Sequence, residues 1–226
     1  MTDSIAPRPE GIVSDCPFCV ELSDVEASDF RRMFSRDELV SRTVAEDSEF
    51  ALIIGIGAFR PGYLLLIPKV HASCFAQLPQ SHSSHADGWR RLSLNMLNEH
   101  FGDAVLFEHG GTSTNMAGGC IDHAHIHLVP SAVDVMSGMD DRMPYARVRD
   151  LAELPSIAAG RPYVLVEQGK DMRAYFPRDR LPSQYMRRLL LELEGQPDLW
   201  DWAVFPGREN MLTTAHVLST DSKVAD

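Results

Sequence analysis

His123-Ala-His125-Ile-His127-Leu-Val129 places a histidine at every second position, and the reading of this stretch decides the fold. Successive side chains of a strand alternate between faces, so residues i, i+2 and i+4 share one face. As a strand closed by Pro130, the stretch projects three imidazoles together, roughly 6 to 7 Å apart. Ala124, Ile126, Leu128 and Val129 supply apolar contacts to a core. A lone histidine is more often a satisfied structural residue than a functional one. Three at period two, directly after a glycine-rich loop, point to chemistry. They serve either as nucleophile and hydrogen-bond donors or as a three-histidine metal site, imidazole being the commonest transition-metal ligand.

Working outward, Gly110-Gly-Thr-Ser-Thr-Asn-Met-Ala-Gly-Gly119 reads as a loop whose glycines let backbone approach a phosphate and whose Thr112, Ser113, Thr114 and Asn115 offer donors. Asp103-Ala-Val-Leu-Phe107 is a short strand. Residues 78–100 form an amphipathic helix with Trp89, Leu92, Met96 and Leu97 on its apolar face. Phe50-Ala-Leu-Ile-Ile-Gly-Ile56 and Tyr63-Leu-Leu-Leu-Ile-Pro68, joined at Arg60-Pro-Gly62, form an antiparallel hairpin. Residues 24–42 hold one short helix. This element order predicts an α+β fold with an antiparallel sheet of about five strands and flanking helices. After Pro130 the pattern fades for about 30 residues. A second hairpin then follows, residues 162–167 and 172–176 turning at Gln168-Gly-Lys-Asp171, and a helix over residues 183–194 stopped by Gly195. Trp200 and Trp202, with the Arg187-Arg188 pair, shape the pocket or close a small satellite core; the core is the preferred reading. The expected organisation is a disordered N-terminus over residues 1–14, a triad domain over 15–130, and a C-terminal extension over 131–226 docked on it.

The net charge of −11 argues against binding nucleic acid polymers, whose affinity rests on neutralising phosphates. Residues 142–188 nonetheless carry ten Arg/Lys against five Asp/Glu. That is either a solvated mixed-charge surface or an electropositive wall for a small phosphorylated ligand. No apolar run approaches the roughly 18 to 20 residues that span a bilayer, and the first ten residues lack a secretory pattern, so the expectation is a cytoplasmic protein away from membranes. Four cysteines, Cys16, Cys19, Cys74 and Cys120, fit that compartment. Cys16-Pro-Phe-Cys19 has the spacing of two thiolate ligands of a tetrahedral zinc and needs two more. Its rival, a redox pair opening a helix after a strand, suits Pro17-Phe18 poorly.

The His-x-His-x-His stretch resembles the signature of the histidine triad nucleotide hydrolases and transferases. Asp15-Cys-Pro-Phe-Cys19, Gly62-Tyr-Leu-Leu-Leu-Ile-Pro-Lys-Val-His71, Phe107-Glu-His-Gly110 and Gly118-Gly-Cys-Ile-Asp-His-Ala-His-Ile-His-Leu-Val-Pro130 resemble blocks of its zinc-containing branch. The resemblance covers about residues 15–130. It implies that His125 is the nucleophile, that His127 hydrogen-bonds the phosphoryl oxygens or leaving group, and that a structural zinc is held by Cys16, Cys19, His71 and His123. It implies a hydrolase acting on phosphoanhydride or phosphoramidate bonds of nucleotides or dinucleoside polyphosphates, through a covalent nucleotidyl-histidine. The alternatives are transfer of the nucleotidyl group to phosphate or a sugar phosphate, and a non-catalytic nucleotide-binding module. Such a nucleotide or nucleotide conjugate would be bound by Thr112, Ser113, Asn115, Gly118, Gly119 and Cys120. Gly119 and Cys120 stand where many family hydrolases carry Gln and Ser or Thr. Cys120 is then a weak donor or a small buried residue, and His109 faces the site or supports its backbone. Members of the family pair through the long helix and a strand, so a homodimer is implied unless the extension covers that surface.

Overall fold

Runs of apolar and β-branched residues flanked by turns form the strands of the computed structural model, which describes residues 13, 15–111, 116–141 and 143–219. The expected disordered terminus, residues 1–14, lies outside the described residues except for Val13. Two short helices come first: α1 (Pro17–Ser23), ahead of the range where a helix was expected, and α2 (Asp29–Met33), the one short α-helix within residues 24–42. Asp24 and Ser28 explain the break. Each side chain accepts a backbone N–H two or three residues ahead, capping a new turn instead of continuing the last.

The hairpin β1 (Thr43–Glu46) and β2 (Phe50–Ile54) follows, then β3 (Leu64–Pro68), the long helix α3 (Gln80–His100), β4 (Ala104–Gly110) and β5 (Ile126–Pro130). After Pro130 come β6 (Tyr145–Arg147), α4 (Leu154–Ala158), β7 (Tyr163–Gln168), β8 (Asp171–Tyr175), α5 (Tyr185–Leu193) and α6 (Arg208–Ser219). The fold is α+β, with an antiparallel sheet and flanking helices as expected. The sheet, however, has eight strands and not about five, in the order β1-β2-β3-β5-β4-β7-β8-β6. The second hairpin adds to it directly: β7 pairs with β4 from Val105↔Gln168 to Gly110↔Tyr163, along all of β4 but its first residue. Every residue of β2, β3 and β5 is buried, because both faces of these central strands are covered.

The helix α3 packs on β4 and β5. Its buried face departs from the apolar stripe expected: Leu92 is 52% exposed, whereas Ser83, Asp87, Arg90 and Ser93 are buried beside Ala86, Met96 and Leu97. Arg90 is tolerated there because Asp87 accepts from its Nε at 2.7 Å and Glu167 of β7 pairs with its Nη1. The same Asp87 accepts the Leu151 N–H at 3.2 Å, so one buried ionic group fastens α3 to the chain after Pro130. Among the described residues, no helix is long and apolar enough to cross a membrane.

Strand β5 begins at Ile126, three residues later than the expected His123. The ladder with β3 runs Leu64↔Leu128, Leu65↔His127, Leu66↔Ile126, and the next pairings would reach Pro68, which has no N–H to give. The backbone therefore leaves the sheet at the histidines. The Ala124 N–H donates to the Ala72 carbonyl, and the Pro68 carbonyl receives the His123 ring.

Candidate functional site

Cys16 is the N-cap of α1 and Pro17 its first residue, a position where a missing N–H costs nothing; the Cys19 N–H points back at the Cys16 sulfur, 3.5 Å away. Cys-Pro-Phe-Cys thus opens a helix, though with no strand ahead of it among the described residues, and that turn brings both thiols to one side. They meet two imidazoles there. Cys16 Sγ lies 3.3 Å and Cys19 Sγ 3.6 Å from His123 Nδ1, and Cys19 Sγ lies 3.4 Å from His71 Nδ1. The ligand atoms of Cys16, Cys19, His71 and His123 all fall within 4.8 Å of one another. Ligands at zinc–sulfur and zinc–nitrogen distances of about 2.3 and 2.0 Å in a tetrahedron sit roughly 3.5 Å apart, so this group fits zinc. His123 donates Nε2–H to the Pro68 carbonyl at 2.9 Å, which fixes the tautomer that exposes Nδ1 to the cluster. Burial pushes the Cys16 thiol up to about 11, so a thiolate at this position needs a cation beside it.

Two residues on, His125 uses its ring the other way. Nδ1–H donates to the carbonyl of His123 at 2.6 Å, which leaves Nε2 with a free lone pair. Burial lowers the His125 pKa and, further, that of His127, where the charges of neighbouring groups add to the effect. Both rings are neutral at pH 7. Their centroids stand 4.7 Å apart, closer than regular strand spacing, because His125 precedes the start of β5. His127 is stacked on Phe107 of β4, and its Nδ1 is 2.7 Å from the Tyr63 hydroxyl. Burial raises the Tyr63 pKa, which keeps that hydroxyl protonated. His109 of β4 accepts the Met186 N–H at Nε2, 3.2 Å away, and burial lowers it to about 3. It both lines the cavity and supports the backbone of α5.

These groups open onto a cavity of about 220 Å³. Phe18, Ile56, Tyr63, Leu65 and Ile121 give it apolar walls; His125, His127 and His109 stand on one side. Glu21 at its rim is held bidentately by Arg42, both contacts at 2.6 Å. Gln184, Arg187 and Trp202, all from the chain after Pro130, complete the enclosure. The satellite-core reading of Arg187 and Trp202 is therefore corrected: both face the cavity. The signal available in the sequence was Arg187 itself, a cation on the buried side of α5 beside Met186, Leu190 and Leu191.

The group expected to bind substrate is divided. Gly118 and Cys120 line the cavity, Cys120 with its surface exposed, and Gly119 between them is half-buried. Thr112, Ser113 and Asn115 lie outside the described residues. Gly118 has φ +83°, and a Cβ there would fall 2.7 Å from the Pro182 carbonyl oxygen and 2.8 Å from the Tyr185 Cβ. Only glycine fits, and the close approach is by the segment leading into α5. That segment is tied down further by the Gln184 N–H donating to the Gly118 carbonyl at 2.7 Å and the Leu181 N–H to that of Met116 at 3.0 Å. Lys69 is ion-paired with Glu46 at 2.6 Å, away from the histidines.

No family model and no curated protein sequence matches the chain. Solved structures do. A HIT family protein from Bacillus anthracis is 23% identical over 54% of this chain and 76% of its own, with a TM-score of 0.42. A zinc-bound histidine triad family protein from Mycobacterium smegmatis is 21% identical over 63% and 89%, with a TM-score of 0.40. A hypothetical histidine triad nucleotide-binding protein from Sulfolobus tokodaii is 19% identical over 88% and 94%, with a TM-score of 0.37. The solved structures to which this α+β chain is similar include histidine triad proteins, one of them zinc-bound.

Proposed function

We propose that the chain is a histidine triad hydrolase that breaks a phosphoanhydride or phosphoramidate bond of a nucleotide or dinucleoside polyphosphate, with His125 as nucleophile. The observation that carries this reading is the 2.6 Å bond from His125 Nδ1–H to the His123 carbonyl. It holds one tautomer, so the Nε2 lone pair is available at neutral pH without first losing a proton. Nε2 attacks phosphorus, and the phosphorus–oxygen or phosphorus–nitrogen bond opposite breaks. The leaving group departs with the bonding pair and takes a proton from solvent. Water then attacks the nucleotidyl-histidine, the phosphorus–nitrogen bond breaks with its pair returning to Nε2, and the water proton is released. A Tyr63 hydroxyl donating to His127 Nδ1 places the His127 proton on Nε2, where it donates to phosphoryl oxygens as charge spreads over them.

Zinc, held by Cys16, Cys19, His71 and His123, has a structural role in this reading. Four protein ligands close its coordination, and its contribution is to tie α1 to the backbone from which His125 projects. That role also argues against a metal enzyme using all three triad histidines, since His123 is grouped with the cysteines. In this reading the triad and the zinc ligands come from the chain before Pro130, and Gln184, Arg187 and Trp202 from the chain after it complete the cavity.

The test is product formation from diadenosine polyphosphates, an adenosine phosphoramidate and nucleotide sugars, followed by chromatography, with intact-mass detection of an adduct on quenching. Turnover of one class with an adduct at His125, both lost in His125→Ala, is the expected result. Turnover that persists in the variant would sink the reading.

A further inference from the structure

Arg187 is 3% exposed, yet among the described residues it takes part in no ion pair. Its Nε donates to the Trp200 carbonyl at 2.9 Å, while its buried Nη2 has no hydrogen-bond partner. The guanidinium carbon lies 5.1 Å from the ring centre of Phe59 and 5.4 Å from that of Tyr63, so aromatic rings and not carboxylates surround it. The two acids of the cavity are engaged elsewhere, Glu21 by Arg42 and Asp29 by Arg32. The other titratable groups lining the cavity are uncharged at pH 7: burial raises the pKa of Tyr63 and Cys120 and lowers that of His109, His125 and His127.

A desolvated cation with an unsatisfied donor is costly unless something anionic completes it. This one sits in the wall of the cavity that contains the triad histidines. Its planar fork of donors suits phosphate oxygens better than a lysine would. The aromatic rings restrict its rotamers, so little freedom is lost when a ligand arrives. Gly57 makes room for it: a Cβ there would lie 2.3 Å from the Trp202 Cβ and 3.3 Å from Nη2.

We propose that Arg187, supplied by α5, is the anion-binding residue of the cavity and holds a phosphate group of the ligand beside His125 and His127. The inference rests on the cavity being the ligand site of the proposed function, but not on the chemistry at His125. Gly119 stands where a phosphate-contacting Gln was expected, and Arg187 offers a phosphate contact from a different part of the chain.

The experiment is calorimetric binding of AMP and of adenosine to the full chain in the His125→Ala background, which keeps turnover out of the measurement. The comparison is between Arg187 and Arg187→Met. AMP should bind at least about tenfold more weakly to the Met variant, with adenosine affinity unchanged. Arg187→Lys serves as well if the Met variant fails to fold; it keeps the charge but not the fork, and a smaller selective loss of AMP is expected. Equal affinity for AMP with and without Arg187, an equal loss of AMP and adenosine, or no binding of AMP by the parent protein overturns the proposal. If selective loss is seen but no substrate is turned over, Arg187 stands and the hydrolase reading falls.

Discussion

His123 and His125 lie two residues apart on the same backbone and use their rings in opposite senses. His123 turns Nδ1 to the thiols and gives its Nε2 proton to the Pro68 carbonyl. His125 gives its Nδ1 proton to the His123 carbonyl and keeps Nε2 bare toward the cavity. The residue type is the same and the burial is similar. The difference lies in which nitrogen has a fixed carbonyl acceptor, and each acceptor exists because of a chain feature close by. Pro68 stops the β3–β5 ladder and leaves its carbonyl free, and the backbone bend that results aims the His123 carbonyl at the next ring. In the proposed reading, a metal-binding corner and a nucleophilic corner are thus cut from one short motif.

The largest break of this comparison should come from His125→Ala. Turnover is expected to fall about 10⁴-fold, equivalent to roughly 5.5 kcal/mol, with zinc content by elemental analysis unchanged. Next comes Cys19→Ser on the other corner. It should remove the zinc and lower the melting temperature by roughly 10 °C, equivalent to about 4 kcal/mol for a chain of this size. A variant that keeps stoichiometric zinc would undo the assignment of the metal corner.

Glu108 sharpens the picture behind that corner. It is buried, accepts the Phe75 N–H at 2.7 Å and the Tyr163 hydroxyl at 2.6 Å, and so pins the turn that follows His71. Desolvation raises its pKa from 4.5 to about 7. Between those values the folded chain holds a proton that the unfolded chain has lost. The stability from this group is complete below pH 4.5 and is lost as pH rises through 7, on the order of 3 kcal/mol in all. Urea midpoints from pH 5 to 8 should fall more steeply for the parent than for Glu108→Gln, and equal slopes would refute the assignment. The smallest effect is expected from Tyr63→Phe, which removes the partner of His127 Nδ1. One hydrogen bond is worth about 1 to 1.5 kcal/mol, so kcat should drop roughly tenfold while KM holds. A change confined to KM would place Tyr63 in ligand binding instead.

The sequence spoke clearly where residues recur at a fixed period. The triad, the hairpin of β2 and β3, the long helix and α5 all announced themselves, and the cysteines and histidines suggested as ligands converge within 4.8 Å. What it concealed has short or polar signals. β6 is three residues long, and β1 has exposed ends, so neither offers a full alternation. α6 buries only Met211, Thr214 and Leu218, too few apolar residues to mark a stripe. Leu92 was assigned inward by its side chain, but the buried ionic group of Arg90, Asp87 and Glu167 turned α3 another way. Arg187 was hidden for a related reason: its role depends on a cavity assembled from segments scattered between Pro17 and Trp202, which no local pattern reports.

The pairing of β7 with β4 also bears on how the chain is made. Until β7 has emerged from a ribosome, β4 offers an unpaired edge over Val105–Gly110 that begins with the apolar run Val105-Leu-Phe107. Its partner begins at Tyr163, 53 residues after Gly110. At roughly 5–20 residues per second, that edge waits on the order of 3 to 10 s for its cover. The nascent protein is thus most open to aggregation, or to protection by a chaperone, during this interval, and slowing translation between β4 and β7 should lower the soluble yield.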